Sequence, residues 1–192
     1  MADGHQIRNQ DAIHFITLTI VGWIDLFTSA ACREIIIKNL RFCQQNKGLV
    51  IYCYVIMSNH IHLICHAKEE YRLSDILRDF KSFTAKSMIQ TIQQKEDKRL
   101  TWLLQSFAFH ARFNKRNGDF QVWKQSNHPI ELESPFFINQ KLNYIHNNPV
   151  RARIVDLPNE YVFSSARDYL GIPGILHVEI LDVGNDIGYI SM

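Results

Sequence analysis

The sequence has few cysteines, no long apolar run and little net charge, and each of these features argues against a class of protein. The four cysteines form no CxxC pair and lie in apolar or helical contexts, which favours reduced, buried thiols over a disulfide framework. No segment approaches the roughly 18 apolar residues of a membrane span. The first fifteen residues carry charges and lack the apolar region of a secretory signal. We therefore expect a cytoplasmic protein with no membrane partner.

The chain also lacks internal repeats and low-complexity tracts, and its 192 residues are within the range of one domain. Its last residues are acidic, with Glu179, Asp182 and Asp186 and no lysine or arginine after position 175. We predict one domain over residues 1–170. Residues 171–192 are predicted to be an acidic extension that is not an independent domain.

Positive charge is concentrated in the middle of the chain, although the net charge is only +2. Between positions 98 and 124 six basic residues face a single acid, Asp119, and aromatic residues are interspersed among them. Cations can hold phosphates and rings can stack on unpaired bases, so this composition suits a nucleic-acid surface. A solvated loop beside the core explains the same composition, and charge alone favours that second interpretation.

Hydrophobic periodicity predicts alternating strands and helices. The predicted strands are 13–21, 49–57, 60–66 and 120–125, and the predicted helices are 30–46, 74–93 and a helix opened by Pro135 and closed by Pro149. Residues 95–118 show the least regular pattern. A short helix in SSARDYL and a strand-like LHVEILDV tail form a C-terminal appendage. The order predicts an α+β domain, an antiparallel sheet with helices mainly on one face, and leaves the other face free for a site.

The stretch YCYVIMSNHIHLICHA places two histidines two positions apart in an apolar run. Side chains alternate along a strand, so His60 and His62 project to one side with Cα atoms about 6.6 Å apart. His66 shares their parity, whereas Cys65 faces the core. Two imidazoles on one face can ligate one divalent cation, but a pair of partly exposed sheet histidines has the same pattern.

Tyr144 and Asn148 in NYIHNNP are separated by one helical turn and share a helix face. A phenol can act as a nucleophile, and an amide oxygen is a hard, neutral ligand. Taken separately, an ordinary tyrosine at the edge of the core explains Tyr144 better than a catalytic role does, and an ordinary helix cap before Pro149 explains Asn148 better than a ligand role does.

The combination of NHIH with a distant YIHNNP resembles the HUH single-tyrosine transposases, especially the REP-associated tyrosine transposases. The resemblance extends from about Ile13 to Tyr169 and includes VIMSNHIHLI, LRDFKSFT and YIHNNPVRARIV. Many relatives have proline where this chain has Ser58, and insertion-sequence members typically have glutamine at the position of Asn148. The resemblance implies a ferredoxin/RRM-like HUH nuclease domain of the prokaryotic type, acting at the nucleoid.

The resemblance also implies a mechanism. His60, His62 and Asn148 would hold Mg²⁺ or Mn²⁺ against the scissile phosphate of single-stranded or hairpin DNA. Tyr144 would attack that phosphate, leaving a 5′-phosphotyrosine link and a free 3′-hydroxyl that can reverse the step. Insertion-sequence relatives resemble homodimers with shared sites and REP-associated ones resemble monomers, so both assemblies stay open.

Six basic residues are predicted to lie along the DNA, with an ordinary solvated surface as the alternative for each. They are Lys81, Lys86, Arg112, Lys115, Arg116 and Lys124. His146 is about 200° around the helix from Tyr144 and is expected to face elsewhere. His128 is left as a structural or DNA-contacting residue.

Two other functions compete with this one. The first is a structural zinc site made of Cys53, His60, His62 and either Cys65 or His66, which strand parity disfavours because Cys65 points away from the first two histidines. The second is a nucleic-acid-binding module without catalysis.

Overall fold

Four antiparallel strands form one sheet in the spatial order β2-β3-β1-β4. A computed structural model describes residues 6–94, 98–113 and 118–182. The strands are β1 (His14–Thr19), β2 (Leu49–Ile56), β3 (His60–Ala67) and β4 (Ile130–Glu131). The helices are α1 (Ala30–Asn46), α2 (Leu73–Gln93), α3 (Lys98–Ala111) and α4 (Pro135–Arg151), and short 3-10 turns occur at Val21–Trp23, Leu26–Thr28, Pro158–Glu160 and Asp168–Leu170. The predicted α+β fold is confirmed.

The α1 helix and the β2–β3 hairpin show how local sequence sets these elements. Apolar residues of α1 recur at helical spacing. Gly48 lies between the end of α1 and the start of β2, and its φ of 66° is in the left-handed region that favours glycine. The hairpin turns through Ser58 and Asn59, where the Met57 amide donates to the His60 carbonyl at 2.9 Å. The turn therefore starts β3 at the first histidine.

Two segments differ from the sequence-based expectation. The irregular region contains α3, because Leu103, Phe107 and Ala111 recur every four residues and form a buried stripe. Residues 120–125 form only one isolated β-bridge, between Ile20 and Trp123. Val122 and Trp123 are both buried, so the alternation of a regular strand is broken there.

The end of α4 is a third difference, because the helix continues through Pro149 to Arg151. Proline lacks a backbone N–H and removes one helical hydrogen bond. The loss is tolerated in the last turn, where the Ala152 amide donates to the Asn148 carbonyl at 3.0 Å. Pro149 is itself buried.

Each face of the sheet has its own apolar cluster. Helices α1, α2 and α3 cover the face that carries Leu18, Ile61 and Leu63. The opposite face, expected to be free, is partly covered by α4, whose Leu142 and Ile145 join a second buried cluster. This placement brings α4 onto the side of the sheet that carries the histidines.

The C-terminal residues up to position 182 lie along the β2 edge without forming a strand. Leu176 and Val178 are buried in the larger cluster, and the Glu179 amide donates to the Ile51 carbonyl at 2.9 Å. Side chains of α1 also bind this segment, with Gln44 donating to the His177 carbonyl at 2.7 Å. Part of the edge of β2 is thereby covered.

Each of the four cysteines is a buried thiol outside any disulfide, as the sequence predicts. Within the described residues, no helix is long and apolar enough to cross a membrane.

Candidate active site

Strand β3 presents His60 and His62 on one face of the sheet, with ring centroids 4.7 Å apart. Thr17 and Thr19 of β1 lie opposite them in the antiparallel register. The His62 ring stacks on Phe15 with centroids 5.2 Å apart, which fixes one side of the imidazole. The pair is therefore held on a paired, central strand rather than on a loop.

A hydrogen-bond chain sets the ring orientation of His60. The Asn59 amide nitrogen donates to the Trp23 carbonyl at 3.1 Å and to the Asp25 carboxylate at 2.9 Å, so its oxygen must face the other way. That oxygen lies 2.7 Å from His60 Nδ1, and an amide oxygen only accepts. In the neutral ring Nδ1 therefore carries the proton, and Nε2 has the free lone pair.

His62 is placed in a similar way. Its Nδ1 lies 2.9 Å from the Thr17 hydroxyl, whose oxygen can accept a hydrogen bond from a protonated Nδ1. Burial lowers the pKa of His60, and burial together with the nearby charges of His60 and Lys141 lowers the pKa of His62 to about 3. Both rings are then uncharged at neutral pH, which is the state that can ligate a cation.

Helix α4 brings Tyr144 to the histidines of the same chain. The Tyr144 and His62 ring centroids are 5.2 Å apart at an interplanar angle of 70°, and Phe15 contacts the tyrosine ring edge-on at 6.0 Å. Asn148 follows one turn later on α4 and is half-buried. The structure thus brings together three of the four residues predicted for the site and places the fourth on the same helix.

Two cations that the sequence interpretation did not include flank Tyr144. Lys141 Nζ lies 5.9 Å from the tyrosine ring centroid, and the Arg151 guanidinium carbon lies 5.5 Å from it. Residues 141, 144, 148 and 151 are spaced three, four and three apart, so they form one stripe on α4. This spacing is the sequence signal that could have identified Lys141 and Arg151. The position of Asn59 directly before His60 is likewise a sequence signal, for the residue that orients the His60 ring.

The buried side of α4 holds a different cluster. His146 Nε2 lies 3.2 Å from Cys53 Sγ and 2.8 Å from Ser165 Oγ, and the ring is fully buried. Burial raises the pKa of the Cys53 thiol and lowers that of His146 to about 3, so both groups are neutral. His146 faces away from the Tyr144 side, as expected, and its contacts tie α4 to β2.

The ligand set proposed for a structural zinc site is dispersed. Cys53 contacts His146, and Cys65 belongs to the cluster on the opposite face of the sheet. His66 lies near the far end of β3 and stacks on Tyr52 at 5.4 Å. Across residues 6–94, 98–113 and 118–182, no group of three or more His, Cys, Asp and Glu side chains could hold a metal ion. The donors that fit a metal are two imidazoles, with an amide on α4 as the predicted third.

The predicted DNA-binding residues have different surroundings. Lys81 is half-buried, burial lowers its pKa to about 8, and its Nζ donates to the carbonyls of Lys124 and Gln125 and to Asn127. Lys81, Lys86 and Lys124 line a groove of about 900 Å³ between α2 and residues 118–127.

Of the remaining members of that set, the structure describes only Arg112. Arg112 is exposed just after α3, whereas Lys115 and Arg116 lie outside the described residues. His128 is exposed in the loop before β4 and has a φ of 42°. The DNA-binding role of all these residues stays a prediction.

Comparisons with known proteins extend these observations. The family model described as IS200-like transposase matches residues 12–116, which include both histidines, whereas Tyr144 and Asn148 lie beyond the match. No curated protein matches the chain.

The fold is similar to that of a solved structure described as "Structure of the REP associates tyrosine transposase bound to a REP hairpin". The TM-score is 0.59 and the sequence identity is 17%, over 97% of this chain and 99% of that chain. The likeness concerns the fold, and the family match concerns the sequence. Because that match spans more than half of the 192 residues, the chain belongs to the IS200-like transposase family.

Proposed function

We propose that this transposase cleaves and rejoins single-stranded DNA, including the single-stranded flank of a hairpin, through Tyr144. The observation that carries the proposal is the meeting of His60, His62 and Tyr144 on one face of the sheet, with ring centroids 4.7 Å and 5.2 Å apart. Neutral imidazoles next to a phenol suit metal-assisted attack on a phosphodiester better than they suit a structural role.

The donor set favours a weakly held divalent cation. His60 Nε2, His62 Nε2 and the Asn148 amide oxygen would bind Mg²⁺ or Mn²⁺, with DNA phosphate completing the coordination. The bound ion would polarise the phosphoryl oxygen and align the phosphate. Asn59 and Thr17 would hold the two imidazoles in the tautomer that ligation at Nε2 needs.

The protein side of the reaction centres on α4. Tyr144 Oη would attack the scissile phosphorus and lose its proton, while the bond from phosphorus to the 3′-oxygen breaks and that oxygen takes a proton. The product is a 5′-phosphotyrosine and a free 3′-hydroxyl. One phosphodiester replaces another, so the 3′-hydroxyl can reverse the step without ATP. Lys141 and Arg151 would place positive charge beside the phosphate that Tyr144 attacks.

A covalent-adduct assay tests the proposal. Labelled DNA hairpins with single-stranded flanks are incubated with the protein and Mn²⁺, and denaturing gels report DNA bound to protein. We expect an adduct that disappears in Tyr144→Phe while DNA binding survives. Tyr52→Phe is the matched control, because Tyr52 stacks on His66 of β3 and packs on the same apolar cluster as Tyr144.

Each outcome has a defined meaning. The absence of an adduct across a varied set of hairpins would refute the nuclease proposal and favour a binding module without catalysis. An adduct that is unchanged in Tyr144→Phe would place the nucleophile elsewhere. Mixing Tyr144→Phe with His60→Ala protein tests the assembly, since recovery of the adduct would indicate sites shared between two subunits.

A further inference from the structure

The loop between β1 and α1 presents an exposed tryptophan beside the candidate active site. Trp23 is 58% exposed, and its ring meets the His60 ring edge-on with centroids 6.1 Å apart. The residue adopts a φ of 56°, directly after Gly22 at 63°. A bulky L-residue is unfavourable in this region of backbone space. Burial offers little compensation, because most of the side chain faces solvent.

The conformation of Trp23 is fixed by the turn that carries His60. Its carbonyl accepts from the Asn59 side chain at 3.1 Å, and its amide donates to the Ile20 carbonyl at 3.2 Å. Asn59 also binds His60, so one side chain holds both the tryptophan loop and the first imidazole. Strained residues of this kind concentrate at functional sites, where the surrounding structure maintains them.

A cation from a distant segment completes the arrangement. Lys124 Nζ lies 4.2 Å from the centroid of the Trp23 ring. The backbone around Lys124 is anchored, since its amide donates to the Thr19 carbonyl at 2.8 Å and its carbonyl accepts from Lys81 Nζ at 2.7 Å. Lys81 therefore positions Lys124. Two separate segments thus bring an exposed aromatic ring and an ammonium group to the edge of the histidine pair.

We propose that Trp23 and Lys124 form a subsite for an unpaired nucleotide next to the scissile phosphate. The indole ring would stack on the base, and the ammonium would pair with a neighbouring phosphate. Stacking tolerates any base, so the subsite would fix the position of the strand without reading its sequence. The proposal rests on the proposed function, because it assumes that the cleaved DNA lies across His60.

The test measures binding without cleavage. Fluorescein-labelled hairpin DNA with a single-stranded flank of about ten nucleotides is titrated with Tyr144→Phe protein in EDTA, and anisotropy gives the affinity. A second series of hairpins carries an abasic site at each flank position in turn. Trp23→Ala and Trp23→Phe are compared in this background. Phe42→Ala is the control, because Phe42 is an aromatic residue of α1 with similar exposure, 51%.

We expect Trp23→Ala to weaken binding about tenfold, Trp23→Phe to weaken it less, and Phe42→Ala to leave it unchanged. An abasic site at one flank position should weaken binding to the Trp23 protein about tenfold and have little further effect on Trp23→Ala. Lys124→Met should reduce the dependence of affinity on salt by about one counterion, whereas Lys38→Met on α1 should not. Urea unfolding checks that each variant is folded.

Wild-type affinity in Trp23→Ala would overturn the subsite. The subsite would also be overturned if an abasic site weakened binding equally in the Trp23 protein and in Trp23→Ala. Self-association that depends on protein concentration and is lost in Trp23→Ala would overturn it as well. The adduct assay separates this proposal from the proposed function. If the Tyr144 adduct forms but the effect of an abasic site does not depend on Trp23, only the subsite is refuted. If the abasic effect depends on Trp23 but no adduct forms, only the proposed nuclease activity is refuted.

Discussion

Replacing Asn59 by alanine should weaken Mn²⁺ binding about tenfold while leaving the fold intact. The side chain accepts from His60 Nδ1 at 2.7 Å and donates to Asp25 at 2.9 Å and to the Trp23 carbonyl at 3.1 Å. Without it, His60 is free to move its proton to Nε2, where the ligating lone pair is needed. The ring is also free to rotate.

The magnitude follows from these contacts. One hydrogen bond of this kind contributes about 1 kcal/mol, which corresponds to roughly fivefold in affinity. Loss of ring order adds about 0.5 kcal/mol, or roughly a further twofold. The product, about tenfold, is at the lower end of effects seen when partners of metal-binding histidines are removed. The two other bonds of Asn59 are exposed, so the free energy of unfolding should fall by only about 1 kcal/mol.

The assay is a Mn²⁺ titration followed by electron paramagnetic resonance, in Tyr144→Phe protein with hairpin DNA present. Ser58→Ala is the matched control, because Ser58 belongs to the same turn and donates to the same Asp25 oxygen at 2.6 Å. An Asn59→Ala affinity within about twofold of the parent, or equal to that of Ser58→Ala, would refute the assigned role of Asn59.

Three further predictions concern the metal, pH and the backbone. DNA cleavage should be faster with Mn²⁺ than with Mg²⁺ at equal low concentration, since imidazole suits Mn²⁺ better, and equal activation would count against His60 and His62 as ligands. Burial raises the pKa of Tyr54 from 10.0 to about 12, so its contribution to stability is complete below pH 10 and is lost as the pH rises toward 12. Tyr54→Phe should therefore lose less stability than wild type between about pH 10 and 12 in urea unfolding, and an equal loss would exclude this tyrosine as the cause. Gly48→Ala should lower the free energy of unfolding by about 1–3 kcal/mol, because φ is 66° and a Cβ atom would overlap the Tyr71 ring; an unchanged urea midpoint would contradict this.

Local periodicity predicted much of the fold. The α1 bounds and the β2–β3 hairpin follow from apolar spacing and turn residues, which depend on near neighbours in sequence. The failure at α3 has the same origin. Its buried stripe of Leu103 and Phe107 is interrupted in sequence by exposed aromatic residues, Trp102 and Phe109, that obscure the helical pattern. Which of these side chains are buried depends on distant elements, which local spacing does not encode.

The candidate site divides in a similar way. By itself the sequence determined that His60 and His62 share one strand face and that Tyr144 and Asn148 share one helix face, because both statements follow from the period of a regular element. Only the tertiary structure decided that α4 crosses the histidine face, that Trp23 and Asp25 hold the Asn59 side chain beside His60, and that Lys124 reaches Trp23. These contacts join residues from separate elements. They depend on how apolar surfaces dock and where buried polar groups find partners, which no repeat along the chain specifies.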